Sequence, residues 1–119
     1  MNRGSAVVEF ALVVPLVLVV LLAAVEVAVV ARAQLEVSQA AREGAREAAT
    51  TPDPEAAVAA VRRFLGEDLG AQARVSVARD HVVGGRAEVT VRVPYRVAAP
   101  LFGGFTVHLE GRCTMRVER

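Results

Sequence analysis

Residues 10–25 read FALVVPLVLVVLLAAV, a run of 16 residues without a charge. Apolar character extends on both sides, from Ser5 to Ala31, across Glu9 and Glu26. As a helix this segment reaches about 40 Å at ~1.5 Å per residue, and a bilayer's hydrocarbon core needs only about 20 residues. The remaining 88 residues could hardly bury such a helix on all sides. The run therefore predicts a segment that spans a membrane.

Glu9 is the residue of this segment that most needs an explanation. On insertion scales a carboxylate at the bilayer centre costs about 2.5–3.5 kcal/mol, and near the edge the cost is lower. One interpretation is a tolerated interfacial acid, and the other is a charge that awaits a cation. A free α-amino group on a neighbouring helix would supply that cation.

The residues around Glu9 resemble a known pattern. Residues 4–10, GSAVVEF, match the prepilin pattern of a glycine, four residues, a glutamate and an aromatic residue before an apolar helix. More narrowly, residues 3–16 (RGSAVVEFALVVPL) and 40–46 (AAREGAR) resemble TadE-like proteins. These are pseudopilins of tight-adherence (Flp-type) pilus systems, with a type IV pilin-like N-terminus.

This resemblance implies how the N-terminus is processed and used. A membrane prepilin peptidase would cleave between Gly4 and Ser5, so that residues 1–4 are a leader and Ser5 carries the new amine. Glu9 would then lie one helical turn from Ser5, and would pair with the amine of an adjacent subunit. Phe10 would belong to the recognition pattern and to the packing face. Pro15, inside the membrane run, is expected to kink the helix.

The resemblance also implies a location and partners. The chain would be a single-pass protein of the cytoplasmic membrane. The short segment before the apolar run itself favours an N-terminus in the cytoplasm, with residues 32–119 outside. Its partners would be the prepilin peptidase, other pilin or pseudopilin subunits and an inner-membrane assembly platform.

Two other interpretations of the N-terminus stay open. A secretory signal peptide could end at Ala31-Arg32-Ala33, a small-x-small site, which would release an exported binding module starting at Gln34. An unprocessed single-pass adaptor would keep Met1.

The first helix is predicted to continue to about residue 49. Apolar and small residues recur at helical spacing after Arg32, and charges of both signs occupy the other faces. Ala40, Gly44 and Ala48 form a ridge of small side chains that permits close approach of another helix or sheet. That neighbour is either part of the same chain or another subunit.

The rest of the chain predicts a short helix and three strands. Asp53 is a suitable N-cap before Pro54, which gives a helix over about 54–69 closed by Gly66 or Gly70. Alternating patterns predict strands over about 72–80, 86–98 and 105–118, with residues 99–104 linking the last two. Pro94 suggests an edge or a bulge in the middle strand. The expected fold class is α+β, type IV pilin-like, with an antiparallel sheet packed on both helices.

The sequence offers no recognisable catalytic or cofactor site. His81 and His108 fall on a turn and on a polar strand face, without acids or cysteines at metal-ligand spacing. Cys113 lies on the apolar strand face, which favours a buried thiol over a nucleophile. The net charge is +1, which gives no basic surface for nucleic acid. We therefore expect no enzyme activity, no cofactor and no metal.

Overall fold

A computed structural model of the protein describes residues 2–97 and 103–118. Helix α1 runs from Asn2 to Thr50 and helix α2 from Pro54 to Gln72. Strands β1 (Arg74–Arg79), β2 (Arg86–Val97) and β3 (Phe105–Arg116) follow. The predicted fold class is confirmed. Residues 98–102, which hold the last residue of the predicted second strand and part of the predicted connection, lie outside the described residues, as does Met1.

The sheet is antiparallel throughout, in the order β1-β2-β3. β2 pairs with β1 from Arg92 opposite Arg74, and its pairing with β3 is continuous from Arg86 to Val97. Pro94 therefore lies in a part of β2 that extends beyond β1, where a residue without an N–H leaves no ladder hydrogen bond unmade on that side. The prediction of an edge position is confirmed, and the pairing contains no bulge there.

The two helices cover one face of the sheet, and α1 makes most of the contact with β2 and β3. The core consists mainly of small and β-branched side chains from both helices and the sheet. Its largest fully buried side chains are Val37, Val61, Val89, Val91 and Val93. The molecule is elongated, with principal extents of 81 × 23 × 16 Å, because the first thirty residues of α1 project beyond this core.

A backbone contact between α1 and the sheet sets their spacing. A Cβ added at Gly111 would lie 2.6 Å from the carbonyl oxygen of Val37 and 3.0 Å from the Cα of Ser38. Glycine is thus the residue that lets β3 approach the helix backbone this closely. The sequence pattern predicted the apolar face of β3 but not this point of contact.

Helix α2 differs from its prediction at its C-terminal end. Asp53 caps it as expected, since its side chain accepts a hydrogen bond of 3.0 Å from the backbone N–H of Glu55. The prediction that Gly66 or Gly70 closes the helix is confirmed in part, because Gly66 breaks the helical backbone but the helix resumes and extends past Gly70. Gly66 interrupts it with φ 81° and ψ −177°, and a last turn continues to Gln72. The break lets Gly70 lie against the backbone of Arg62, where a Cβ would come within 2.8 Å of the carbonyl oxygen.

The end of α1 is held by the sheet. Arg79 donates from Nε to the carbonyl oxygen of Ala48 at 2.6 Å. The backbone N–H of Glu118 donates to the carbonyl oxygen of Ala49 at 2.8 Å. These bonds satisfy carbonyl groups that a helix leaves without partners in its last turn. The helix therefore ends where donors from β1 and from the residues after β3 can bond to its last carbonyl oxygens.

Candidate functional site: the N-terminal helix

The first part of α1 is apolar and exposed. From Arg3 to Ala31 the side chains are exposed except Val14, Glu26 and Val30, which are half-buried. In the described part of the chain, α1 is the one helix long and apolar enough to cross a membrane. None of its most apolar stretch is buried inside the protein. The core helix of a water-soluble protein would bury such a surface, so the exposed helix indicates association with a membrane.

Glu9 lies on this exposed surface. Among the residues that the structure describes, no cationic side chain lies within ion-pair distance of its carboxylate. Ser5 precedes it by four positions on the same continuous helix, which places the two residues one turn apart on one face. The carboxylate is therefore displayed outward, next to the position where an amine would appear if the chain began at Ser5.

Gly4 is not required by the fold of this chain. A Cβ built at Gly4 meets no atom of the described part of the chain within 4 Å. Glycine inside a helix is less favourable than alanine by roughly 0.5–1 kcal/mol. The presence of glycine here thus has no explanation in the packing of the protein itself.

Phe10 and Pro15 are both exposed, on the same part of the helix. The helix continues through Pro15 to Thr50. The kink expected at Pro15 stays a prediction, as does the use of Phe10 in packing against another subunit.

The ridge of small residues in the second part of α1 is covered by the protein's own domain. Ala40 and Ala48 are buried, and a Cβ at Gly44 would lie 2.5 Å from Cγ2 of Val61 and 3.1 Å from Cγ1 of Val89. Of the two neighbours considered for this ridge, the structure places α2 and β2 against it.

The remaining candidate residues make no recognisable reactive cluster. Cys113 is half-buried, which corrects the expectation of a buried thiol: it lies towards the edge of the covered face and only borders the core. His81 and His108 are exposed. In the described ranges, no group of three or more His, Cys, Asp or Glu side chains is arranged to hold a metal ion.

A cleft between α1 and the end of the sheet was not foreseen from the sequence. Its lining is mostly apolar and includes Glu26, Val30 and Gln34 of α1 with Val97 and Phe105 of the strands. Gln34 donates from Nε2 to the carbonyl oxygen of Glu110 at 2.7 Å, and so ties the helix to β3 beside this cleft. We refer to it as the juxtamembrane cleft. The cleft forms only because α1 packs beside the ends of β2 and β3, which are distant in the sequence, so no local sequence pattern predicts it.

An exposed apolar helix joined without a break to a small α+β domain defines a protein that associates with a membrane through its N-terminal helix. The family model described as TadE-like protein matches residues 4–46. The resemblance of the N-terminal sequence to that family is thus confirmed over this segment, which includes Gly4, Glu9 and the stretch from Ala40 to Arg46. TadE-like proteins are a structural, pilus-associated family, and the match indicates a protein associated with a tight-adherence pilus. No curated protein matches the chain, and neither does any solved structure.

Proposed function

We propose that the protein is a minor pseudopilin of a tight-adherence pilus or a related secretion machine, matured by a prepilin peptidase. The observation that carries the proposal is Glu9, exposed on an apolar helix without a cation from its own described residues, one turn from Ser5. The TadE-like match over residues 4–46 supports it.

Maturation removes residues 1–4. Gly4 occupies open space, so its identity is free to serve an external requirement, and a peptidase that needs an unobstructed backbone before the cut is such a requirement. Cleavage places an α-amino group at Ser5, inside the segment that carries Glu9. The leader and its positive charge at Arg3 are lost in the same step.

Assembly then follows from the cost of isolated charges in lipid. A carboxylate and an ammonium group that are each costly alone become tolerable when they pair. Within one helix, Ser5 and Glu9 face the same side, and a neighbouring helix shifted along its axis brings its own amine to Glu9. The pair acts chiefly as a registration device, because a shift by one turn leaves both charges unpaired in the bilayer.

The domain outside the membrane selects which subunits meet. Its sheet presents a polar outer face in which Arg92, Glu110, Arg112 and Glu88 form ion pairs of 3.4–3.8 Å with one another. In the proposed orientation, with the N-terminus in the cytoplasm, this domain faces away from the assembly platform. The platform, the peptidase and other pilin subunits are the proposed partners.

A cleaved signal peptide is the principal rival. Ala33, the last residue of that proposed site, is 5% exposed and lies in the core within an unbroken helix. Gln34, which would be the new N-terminus, is bonded to β3 through its side chain. Cleavage there would remove Ala33 from the core and leave Gln34 at a chain end, and this loss of packing favours retention of the helix.

The mass and N-terminal sequence of the protein isolated from native membranes test the proposal. A chain that begins at Ser5 supports it. A chain that begins at Gln34 identifies an exported module, and one that retains Met1 identifies an unprocessed anchor; either result refutes the proposal.

Glu9→Ala tests the pairing step separately. We expect cleavage to remain largely intact and co-purification with other pilus subunits to fall sharply. Glu26→Ala is the matched control, since it removes the other acid of the same apolar segment at a position far from the amine. Normal co-purification of Glu9→Ala, or an equal loss in both variants, would contradict pairing at Glu9.

A further inference from the structure

The end of the sheet near the membrane segment differs from the opposite end. There, β2 finishes at Val97 and β3 begins at Phe105, beside residues 26–31 of α1. Phe105 is 54% exposed, although it continues the face of β3 that is covered elsewhere. Within residues 2–97 and 103–118, no packing partner explains an exposed phenylalanine at this point of the molecule.

The alignment of β3 with α1 fixes which end of the domain faces the membrane. Gly111 contacts α1 at Val37, and Glu118 is hydrogen-bonded to Ala49, so β3 runs in the same direction as α1. The turn around Val83 lies at the far end, since the N–H of Gly84 donates to the carbonyl oxygen of Val117 at 2.8 Å. Phe105 is thus at the membrane end and Val83 at the distal end.

The level of the bilayer surface follows from the length of α1. A hydrocarbon core takes about 20 helical residues. Counted from Phe10, the first residue after Glu9, these end near Val29. The juxtamembrane cleft lies at this level, because α1 lines it with residues from Glu26 to Gln34.

The side chains at this level suit the boundary between hydrocarbon and headgroups. Val27, which lines the cleft, is 68% exposed. On the other side of α1, Tyr95 lines a second depression together with Val29 and Arg32. Aromatic side chains are enriched at membrane interfaces, and arginine extends its charge towards headgroups. The chain's single tyrosine and one of its four phenylalanines lie here.

We propose that this end of the outer domain rests on the bilayer from which α1 emerges, with Phe105 inserted among phospholipids at the hydrocarbon boundary. The surface is continuous with the apolar surface of α1, and together the two present one lipid-contacting area. Glu26, half-buried in the cleft, is shielded from the acyl chains by the end of the sheet. The domain is then held against the membrane, and a subunit that leaves the bilayer must first release this contact.

The inference requires insertion of α1 in a bilayer, but it depends neither on leader cleavage nor on which side of the membrane the domain occupies. The chain has no tryptophan, so one introduced tryptophan is the only indole emitter. We would place it at Phe105 (F105W), at Val83 (V83W, 68% exposed in the native chain) as matched control, and at Leu18 (L18W) to report insertion of α1. Each full-length variant is reconstituted in vesicles of phosphatidylethanolamine and phosphatidylglycerol, a fraction of which carries brominated acyl chains.

We expect the brominated lipids to quench L18W and F105W several-fold more strongly than V83W, and aqueous acrylamide to quench mainly V83W. Thermal unfolding checks that each variant is folded, and Thr106→Trp, the next exposed position of β3, replaces F105W if that variant does not fold.

Equal acrylamide quenching of F105W and V83W overturns the inference. Protection of F105W from both brominated lipid and acrylamide also overturns it, because position 105 is then covered by protein and not by lipid. If brominated lipids do not quench L18W, α1 is not inserted in the bilayer, and this result also overturns the inference. Cleavage at Ser5 is read by mass and not by these emissions, so failure here is distinct from failure of the proposed maturation.

Discussion

The two parts of α1 belong to one unbroken helix and obey opposite rules of burial. Residues 5–31 are rich in Val and Leu and are almost entirely exposed, whereas the inward side chains of residues 33–49 are mostly Ala and are fully covered. The more apolar part is therefore the less buried part. The difference teaches that the hydrophobicity of a helix segment predicts whether it lies in lipid or in water. The size of its side chains predicts how closely other elements of the protein can pack against it.

The two glycines of this helix show the same contrast and provide the largest expected effect. Gly44→Val places a side chain where even a Cβ lies 2.5 Å from Val61, so we expect the free energy of unfolding to fall by about 3 kcal/mol. Gly4→Val, in open space, should leave domain stability unchanged. Urea unfolding in detergent micelles, followed by circular dichroism, measures both. Equal stability of the two variants would show that the ridge is not the close contact described.

Two valines of α1 sharpen the comparison. Val37 is 0% exposed and Val17 is 46% exposed. Val37→Ala should destabilise the domain by about 2 kcal/mol, because two buried carbons are lost and a cavity remains. Val17→Ala should change the same unfolding transition by less than about 0.5 kcal/mol. A comparable loss at Val17 would mean that the exposed part of α1 folds cooperatively with the α+β domain.

A smaller effect is expected at the start of α2, within the α+β domain. Asp53→Ala removes the oxygen that accepts the Glu55 N–H, and we expect a loss of about 1 kcal/mol in the free energy of unfolding. Asp53→Asn retains an acceptor and should recover most of that loss. If Asp53→Asn were as unstable as Asp53→Ala, the hydrogen bond would not be the cause.

The ion pair at the junction of the two parts should matter least. Arg32 and Glu36 approach within 3.6 Å, but their side chains are 85% and 42% exposed. Solvent screens such a pair, so Arg32→Ala should cost no more than about 0.5 kcal/mol. A double-mutant cycle with Glu36→Ala isolates the pair, and a coupling energy above 1 kcal/mol would show that the junction is more ordered than exposure suggests.

The candidate site was predictable in part because its chemistry is local. Glu9 is conspicuous in any reading of the apolar run, and its distance of one turn from Ser5 follows from helical geometry alone. The juxtamembrane cleft was not predictable, since Glu26 and Phe105 are far apart in the chain and only the register of β3 against α1 joins them. Whether Cys113 is buried depends likewise on how far α1 extends over the sheet.

By itself, the sequence determined the long apolar helix, the second helix with its Asp53 cap, the alternating strands and the resemblance carried by residues 4–46. These depend on neighbours within a few positions, through the cost of charge in lipid and the periods of helix and strand. Only the tertiary structure decided that Gly44 faces Val61, that Gly111 touches the backbone at Val37, and that α2 continues past Gly66. Such contacts depend on distances between remote segments, which are set when the layers pack and not by any stretch of residues alone.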